Sequence, residues 1–277
     1  MNNNLMLRIL SSLFLIPLLL ISIWIGGYLF FIILSLLSIL ILYEFNNLIQ
    51  KKIEKRYKIF LLLSLFSVFI NYYAFIQHFY ELLVLSLVFI LVIALSNILF
   101  NSKNQWYLFA FLYSLLPSVI LIVLRQNKIY GFEMVLMVFL VTWISDTSAY
   151  FMGKLIGGPK LAPRISPNKT ISGAFFGILI STAVLSVLFY DFFASYTLMM
   201  VIFFSLLSFL SIIGDLFASF LKRYFKSDES SNLIPGHGGF IDRADSLIGV
   251  ALGMAILLFL LVVFFDDYKN LSESFLI

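Results

Sequence analysis

Apolar runs of about 18 residues or more recur along this chain, and any fold has to give each one an apolar surrounding. Nine can be marked, at roughly 9–25, 28–48, 58–77, 82–100, 107–124, 133–152, 171–190, 195–216 and 247–265. Each is about long enough to cross the hydrocarbon core of a bilayer as a helix. The chain has 277 residues, 62% hydrophobic and only 12% charged, against about 25% charged in a soluble domain. The expected fold is therefore all-α, a polytopic integral membrane protein of about nine transmembrane helices. The first run follows Arg8 and resembles a signal peptide, but a second run comes at once and no small-x-small cleavage pattern separates them. It is read as a helix. There is no cysteine, which excludes disulfides and thiolate metal sites.

Nine crossings put the termini on opposite sides. With the N-terminus in the cytoplasm, every Lys and Arg except Arg125, Lys128 and Lys269 falls in an inside segment. Positive charge collects on the cytoplasmic side of membrane proteins, so this orientation is the expected one. The basic loop KKIEKRYK, 51–58, serves as a topology signal and a contact for anionic lipid. His78, beside Tyr80 and Glu81, reads as an interfacial anchor.

The two halves differ in content. Residues 1–130 are motif-poor helices and short loops. Residues 131–277 carry three polar segments on the expected cytoplasmic face. These are SDTSAYFMGKLIGG with PKLAPRISPNKTISG (145–173), GDLFASFLKRYFK (214–226) and IPGHGGFIDRADS (234–246). Segments far apart in sequence but on one face are what a composite site needs.

Asp146 lies about six residues inside the end of its apolar run, roughly 9 Å deep at 1.5 Å per residue. A lone carboxylate at the centre of a spanning helix costs about 2.5–3.5 kcal/mol, less near the interface. It needs a basic partner, a hydroxyl network, a metal ion or a substrate. If its helix continues, Asp215 is followed at i+4, i+7 and i+8 by Ser219, Lys222 and Arg223, all on one face. A metal below and a phosphate above would suit that order, as would a snorkelling basic end with one salt bridge. Asp242 and Asp245 share a helix face, and the helix dipole alone favours acids there. Gly238 and Gly239 leave backbone N–H groups open to an anion, with His237 alongside. Ser166, Lys169 and Thr170 precede another apolar run, where a helix start binds phosphate or is simply capped. Four acids among several cations point to Mg2+, with room for a second ion, and to a phosphorylated substrate.

Taken together, IPGHGGFIDRAD preceded by SFLKR, the upstream DTSAYFMGKLIGGPKLAPRISPNKT and GDLFAS resemble the motifs of the phosphatidate cytidylyltransferases, or CDP-diacylglycerol synthases. The resemblance covers about residues 140–250. It implies an enzyme of phospholipid biosynthesis that takes CTP and phosphatidic acid to CDP-diacylglycerol and pyrophosphate. It also implies divalent metal dependence and a homodimer in the cytoplasmic (inner) membrane, with the site facing the cytoplasm. The matched positions imply metal-site acids at Asp146, Asp215, Asp242 and Asp245, and phosphate partners at Lys169, Lys222, Arg223 and Arg243. His237 and its glycines would lie near the nucleotide. Two departures from the family pattern stand out. Asp228 and Glu229 stand where Lys-Asp is usual, with Lys226 two places early, and Ser172 stands where Glu or Gln precedes Gly173.

Rival readings are a membrane enzyme acting on another lipid phosphate or a polyprenol, a transporter, and a homologue that only binds lipid. The charged motifs sit at one face and no inverted repeat is evident, which disfavours the transporter. Membrane lipids are expected partners and nucleic acid is not.

Overall fold

The structure is a computed structural model that describes residues 3–50, 64–65, 67–72, 105–193, 197–227, 230–231, 233 and 238–264. The basic loop at 51–58, His78, the run at 82–100, most of that at 58–77, Asp228, Glu229, Pro235, Gly236 and His237 lie outside the described residues. The elements are α1 (Asn3–Ile25), α2 (Gly27–Gln50), α3 (Gln105–Gln126), α4 (Gly131–Ile156), β1 (Lys160–Ala162), β2 (Ser166–Thr170), α5 (Ile171–Leu188), α6 (Tyr190–Phe193), α7 (Thr197–Tyr224) and α8 (Ile241–Phe264). Among the described residues, six helices, α2, α3, α4, α5, α7 and α8, are long and apolar enough to cross a membrane; α1 holds a shorter apolar run, Ser11–Ile25. The protein is therefore a multi-pass, mainly helical membrane protein.

The chain divides into two compact units. Among the described residues, the first comprises α1 to α3, the first residues of α4 and the segment 230–241; the second runs from Glu133 to Ser227 and from Asp242 onward.

In the first unit, Gly26 and Gly27 take positive φ (66° and 55°) and end α1 before α2 begins. The Arg125 guanidinium packs against Gly26, where a Cβ would lie 2.7 Å from Cζ. It donates to the carbonyls of Ile23 and Trp24 at 2.7 and 3.0 Å. These are orphan acceptors at a helix C-terminus, so the ends of α1 and α3 are tied at one level. Lower down, Phe45 of α2 meets Phe109 and Tyr113 of α3 edge-on, with centroids 5.8 and 5.7 Å apart. A buried polar chain also links the elements. Ser38 and Ser67 hydroxyls lie 3.1 Å apart, Asn71 Nδ2 donates to Ser38 Oγ at 3.3 Å, and Ser118 Oγ donates to Asn71 Oδ1 at 3.0 Å. In a bilayer polar groups must be satisfied internally, and such bonds are worth about 0.6 kcal/mol each, up to about 1.7.

In the second unit small residues let helices touch. A Cβ on Gly173 would lie 2.6 Å from the Ala149 carbonyl oxygen, and one on Gly177 would lie 3.0 Å from Ala149 Cβ. α5 thus lies directly on α4. Against α7, α5 pairs Ser181 with Ser208 at 2.6 Å and Thr182 with Ser205 at 3.2 Å. α7 and α8 meet at Gly214 and Gly249; a Cβ on Gly214 would lie 2.5 Å from the Asp245 carbonyl oxygen and 3.1 Å from Gly249 Cα.

The all-α expectation needs one correction. Residues 160–170 form an antiparallel hairpin in which Lys160 pairs with Thr170 and Ala162 with Ser166. Ile165 N–H donates to the Ala162 carbonyl at 3.1 Å, closing a β-turn with Pro163 at the position where its fixed φ is favoured. Prolines at 159, 163 and 167 forbid a helix here, and the strands are too short to show alternation. Gly157 and Gly158, with φ of 67° and 102°, end α4 ahead of it.

Candidate active site

The polar residues of the second unit gather where α4, β2, α7 and α8 present them. α4 continues to Ile156, beyond the expected end at 152. Asp146 therefore sits ten residues before the helix end, about 15 Å along the axis. Asp215 follows Gly214, and Gly214 abuts the Asp245 carbonyl. The close glycine contact between α7 and α8 is thus what brings these two acids together.

Four carboxylates and two lysines make up the cluster. Lys169 of β2 forms an ion pair with Asp215. Lys222 donates to Asp242 Oδ1 at 2.6 Å, joining the end of α7 to the first turn of α8. Asp245, only 8% exposed, accepts from the backbone N–H of Ser246 at 2.8 Å. Asp146 Oδ1 accepts from the Ser246 hydroxyl at 3.1 Å. The carboxylates of Asp146, Asp215 and Asp245 lie close enough to repel one another; Lys169 acts on Asp146 and Lys222 on Asp245. Two ammonium groups do not balance four carboxylates, of which Asp245 is buried.

That excess of hard oxygen donors suits a divalent cation such as Mg2+. A buried Ser211 hydroxyl beside Asp146 adds a neutral oxygen on α7. As the side chains stand, no three acidic or histidine groups among the described residues are gathered into a ligating set, because Asp215 and Asp242 are turned to lysines.

The other residues named from sequence fall in several places. α7 runs unbroken to Tyr224, so Ser219, Lys222 and Arg223 do continue the helix from Asp215. Arg223 Nε reaches the Ile165 carbonyl in the hairpin turn at 3.5 Å. Thr170 caps α5: its hydroxyl accepts from Gly173 N–H at 3.1 Å and from Ser172 Oγ at 3.1 Å. Ser172 also bonds the Gly157 carbonyl, tying the start of α5 to the end of α4. Ser166 lies in the hairpin ladder opposite Ala162, and Arg243 is exposed on α8. Gly238 (φ 84°) and Gly239 belong to the first unit, where a Cβ on Gly239 would lie 2.6 Å from Glu44 Oε2.

Three features escaped sequence reasoning. Ser246 could have been suspected as a hydroxyl directly after a buried acid. Gly214 and Gly249 carry the small-residue signal of close helix pairs. Glu44 was legible only as an acid inside an apolar run.

The chain is similar to known proteins over much of its length. The Cytidylyltransferase family matches residues 6–261. A protein of Brucella abortus biovar 1 named phosphatidate cytidylyltransferase is 38% identical over 175 residues, 63% of each chain. Proteins of the same name from Staphylococcus saprophyticus and Staphylococcus epidermidis are 40% identical over 137 residues and 42% identical over 135. Those two alignments take in 49% and 48% of this chain and 52% of each relative. The alignments thus span under two thirds of the Brucella relative's length and about half of the staphylococcal ones. With most of its length matched, the chain belongs to the Cytidylyltransferase family.

Proposed function

We propose that the protein transfers CMP from CTP to phosphatidic acid, giving CDP-diacylglycerol and pyrophosphate for phospholipid biosynthesis. The observation that carries this reading is the cluster of four carboxylates and two lysines in one unit of a cytidylyltransferase-family chain. The relatives' shared name supplies the lipid substrate.

A phosphate oxygen of phosphatidate attacks the α-phosphorus of CTP. A new P–O bond forms, and the bond to the bridging oxygen of the β-phosphate breaks as pyrophosphate leaves. A phosphate monoester is largely ionised near neutral pH, its second pKa being about 6, so no strong base is required. The obstacle is bringing one anion onto another, and the catalytic task is positioning and charge neutralisation. Asp215, Lys222, Asp242 and Asp245 carry that task in our reading, with Asp146 completing the acidic set. Lys169 and Lys222, now held by Asp215 and Asp242, are the ammonium groups an entering phosphate would compete for. Ser166, Thr170, Ser219, Arg223 and Arg243 are assigned to substrate contacts, and His237 and Gly238 to the nucleotide. Asp146, Asp215, Asp242 and Asp245 would hold Mg2+, which neutralises phosphate charge when bound.

Residues 131–277 form the catalytic region in this reading and 1–130 its membrane support. We further infer nine crossings with the N-terminus and the site on the cytoplasmic side of the inner membrane, and a homodimer. The tie from Arg125 to the end of α1 is in keeping with that count, since the first and fifth of nine crossings end at one face. The test is conversion of labelled CTP and phosphatidic acid to labelled lipid by the purified chain in detergent with Mg2+. Lipid labelling that disappears on chelation and in Asp242→Asn is expected; a folded chain that labels no lipid would overturn the reading.

A further inference from the structure

One buried carboxylate takes no part in the acidic cluster. Glu44, near the end of α2, is 0% exposed, yet it accepts four hydrogen bonds. Oε1 receives Ser231 Oγ at 2.5 Å and Phe240 N–H at 2.7 Å. Oε2 receives Ser230 Oγ at 3.0 Å and Ile241 N–H at 2.9 Å. All five residues belong to the first unit.

The donors come from two places in the chain. Ser230 and Ser231 precede the Gly-rich motif, and Phe240 and Ile241 follow it. One carboxylate therefore holds Ser230 and Ser231 together with Phe240 and Ile241. Gly239 is shaped to the same group: a Cβ there would lie 2.6 and 2.8 Å from Oε2 and Oε1 and would overlap Ser230 Oγ. The next residue after Ile241 is Asp242. A group with two oxygens, each accepting twice and donating nothing, is what four convergent donors require. Glutamine offers one such oxygen; its NH2 would face two donors.

A charge inside an apolar helix is costly; here it holds the segments on either side of the Gly-rich motif and the first residue of the helix that carries Asp242. We propose that Glu44 is a positioning residue for CMP transfer. It fixes Gly239–Ile241, and with them the first residue of the helix that carries Asp242 and Asp245. This inference rests on the proposed function.

The test uses the full chain in detergent, comparing Glu44→Gln, Ser231→Ala and the parent in kcat, CTP KM, thermal midpoint and amide exchange. Ser118→Ala, which breaks the buried Ser118–Asn71 bond, is the structural control. A misplaced reacting group costs about 100-fold per Å, so Glu44→Gln is expected to lower kcat at least about tenfold. Exchange at Phe240 and Ile241 should quicken while that at 171–173 stays parental. Ser231→Ala, which loses one donor of four, should fold and fall between Glu44→Gln and the parent. Ser118→Ala should lower the midpoint and leave kcat alone. If Glu44→Gln fails to fold, Ser231→Ala decides: parental kcat overturns the inference. Parental kcat in Glu44→Gln, or an equal kcat loss in Ser118→Ala, also overturns it alone. A parent chain that transfers no CMP overturns both this inference and the reading it rests on.

Discussion

Adding one methyl group at Gly214 should silence the enzyme while leaving it folded. The Cβ would lie 2.5 Å from the Asp245 carbonyl oxygen and 3.1 Å from Gly249 Cα, where ordinary contact starts at 3.4 Å. Both obstacles are backbone, so α7 and α8 must part locally by about 0.9 Å. Overpacking of this kind costs roughly 1–3 kcal/mol. Alanine returns about 1 kcal/mol of helix propensity over glycine, so the net loss is only about 0–2 kcal/mol. The displacement falls between Asp215 and Asp245, and a shift near 1 Å at reacting groups costs about 100-fold in rate. Gly253→Ala is the matched control on the same helix pair. Its Cβ meets Leu210 Cδ1, the end of a side chain that can turn away, at roughly 0.5–1.5 kcal/mol for an off-rotamer angle. Thermal midpoints and initial rates of CMP transfer, measured side by side in detergent, separate the two. Gly214→Ala should lose about two orders of magnitude in rate and Gly253→Ala should stay near the parent. A parental rate in Gly214→Ala, or equal losses in both, would refute the backbone argument.

Asp242→Asn and Asp245→Asn should each abolish transfer while the protein still inserts and folds, as read by labelled-lipid formation and by size-exclusion profile; near-normal rates in both would remove the metal assignment. Lys226 is the one described non-glycine residue at positive φ (55°), and Ser227 N–H to Lys222 O at 2.9 Å with Lys226 N–H to Arg223 O at 3.1 Å form a Schellman end to α7. Lys226→Gly should therefore raise stability by up to about 1 kcal/mol, measured by thermal midpoint. Thr170→Val should cost about 0.5–2 kcal/mol through loss of the α5 cap, and an unchanged midpoint would contradict the capping role. Glu229→Gln should be milder than Asp215→Asn in the transfer assay; equal damage would make Glu229 a ligand.

Much of the helical layout was legible because an apolar run of bilayer length leaves few alternatives to a helix. The acids were legible for the same reason, since a carboxylate inside such a run needs a partner. What partner each has was not. Lys169 pairing with Asp215, and Lys222 with Asp242, depend on how β2 and α8 approach α7, and local periodicity says nothing of that. The hairpin hid behind three prolines that signal only where a helix cannot be. Ser246 and Glu44 hid because a single polar residue in a run has the same appearance whether it faces a neighbour or a loop arriving much later. Gly239 was read as an open cradle for an anion; in the fold its open side lies against the Glu44 carboxylate.

The Glu44 bonds also set a schedule for synthesis. Its partners follow it by 186 to 197 residues. At about 5–20 residues per second, the ribosome takes roughly 10–40 seconds after making Glu44 to supply the groups that satisfy it. During that interval α2 carries an unanswered carboxylate. The surroundings of Glu44 are therefore complete only once Ile241 has been made. A ribosome that stalls short of that residue leaves a membrane protein whose earliest helices already carry the mark of being unfinished.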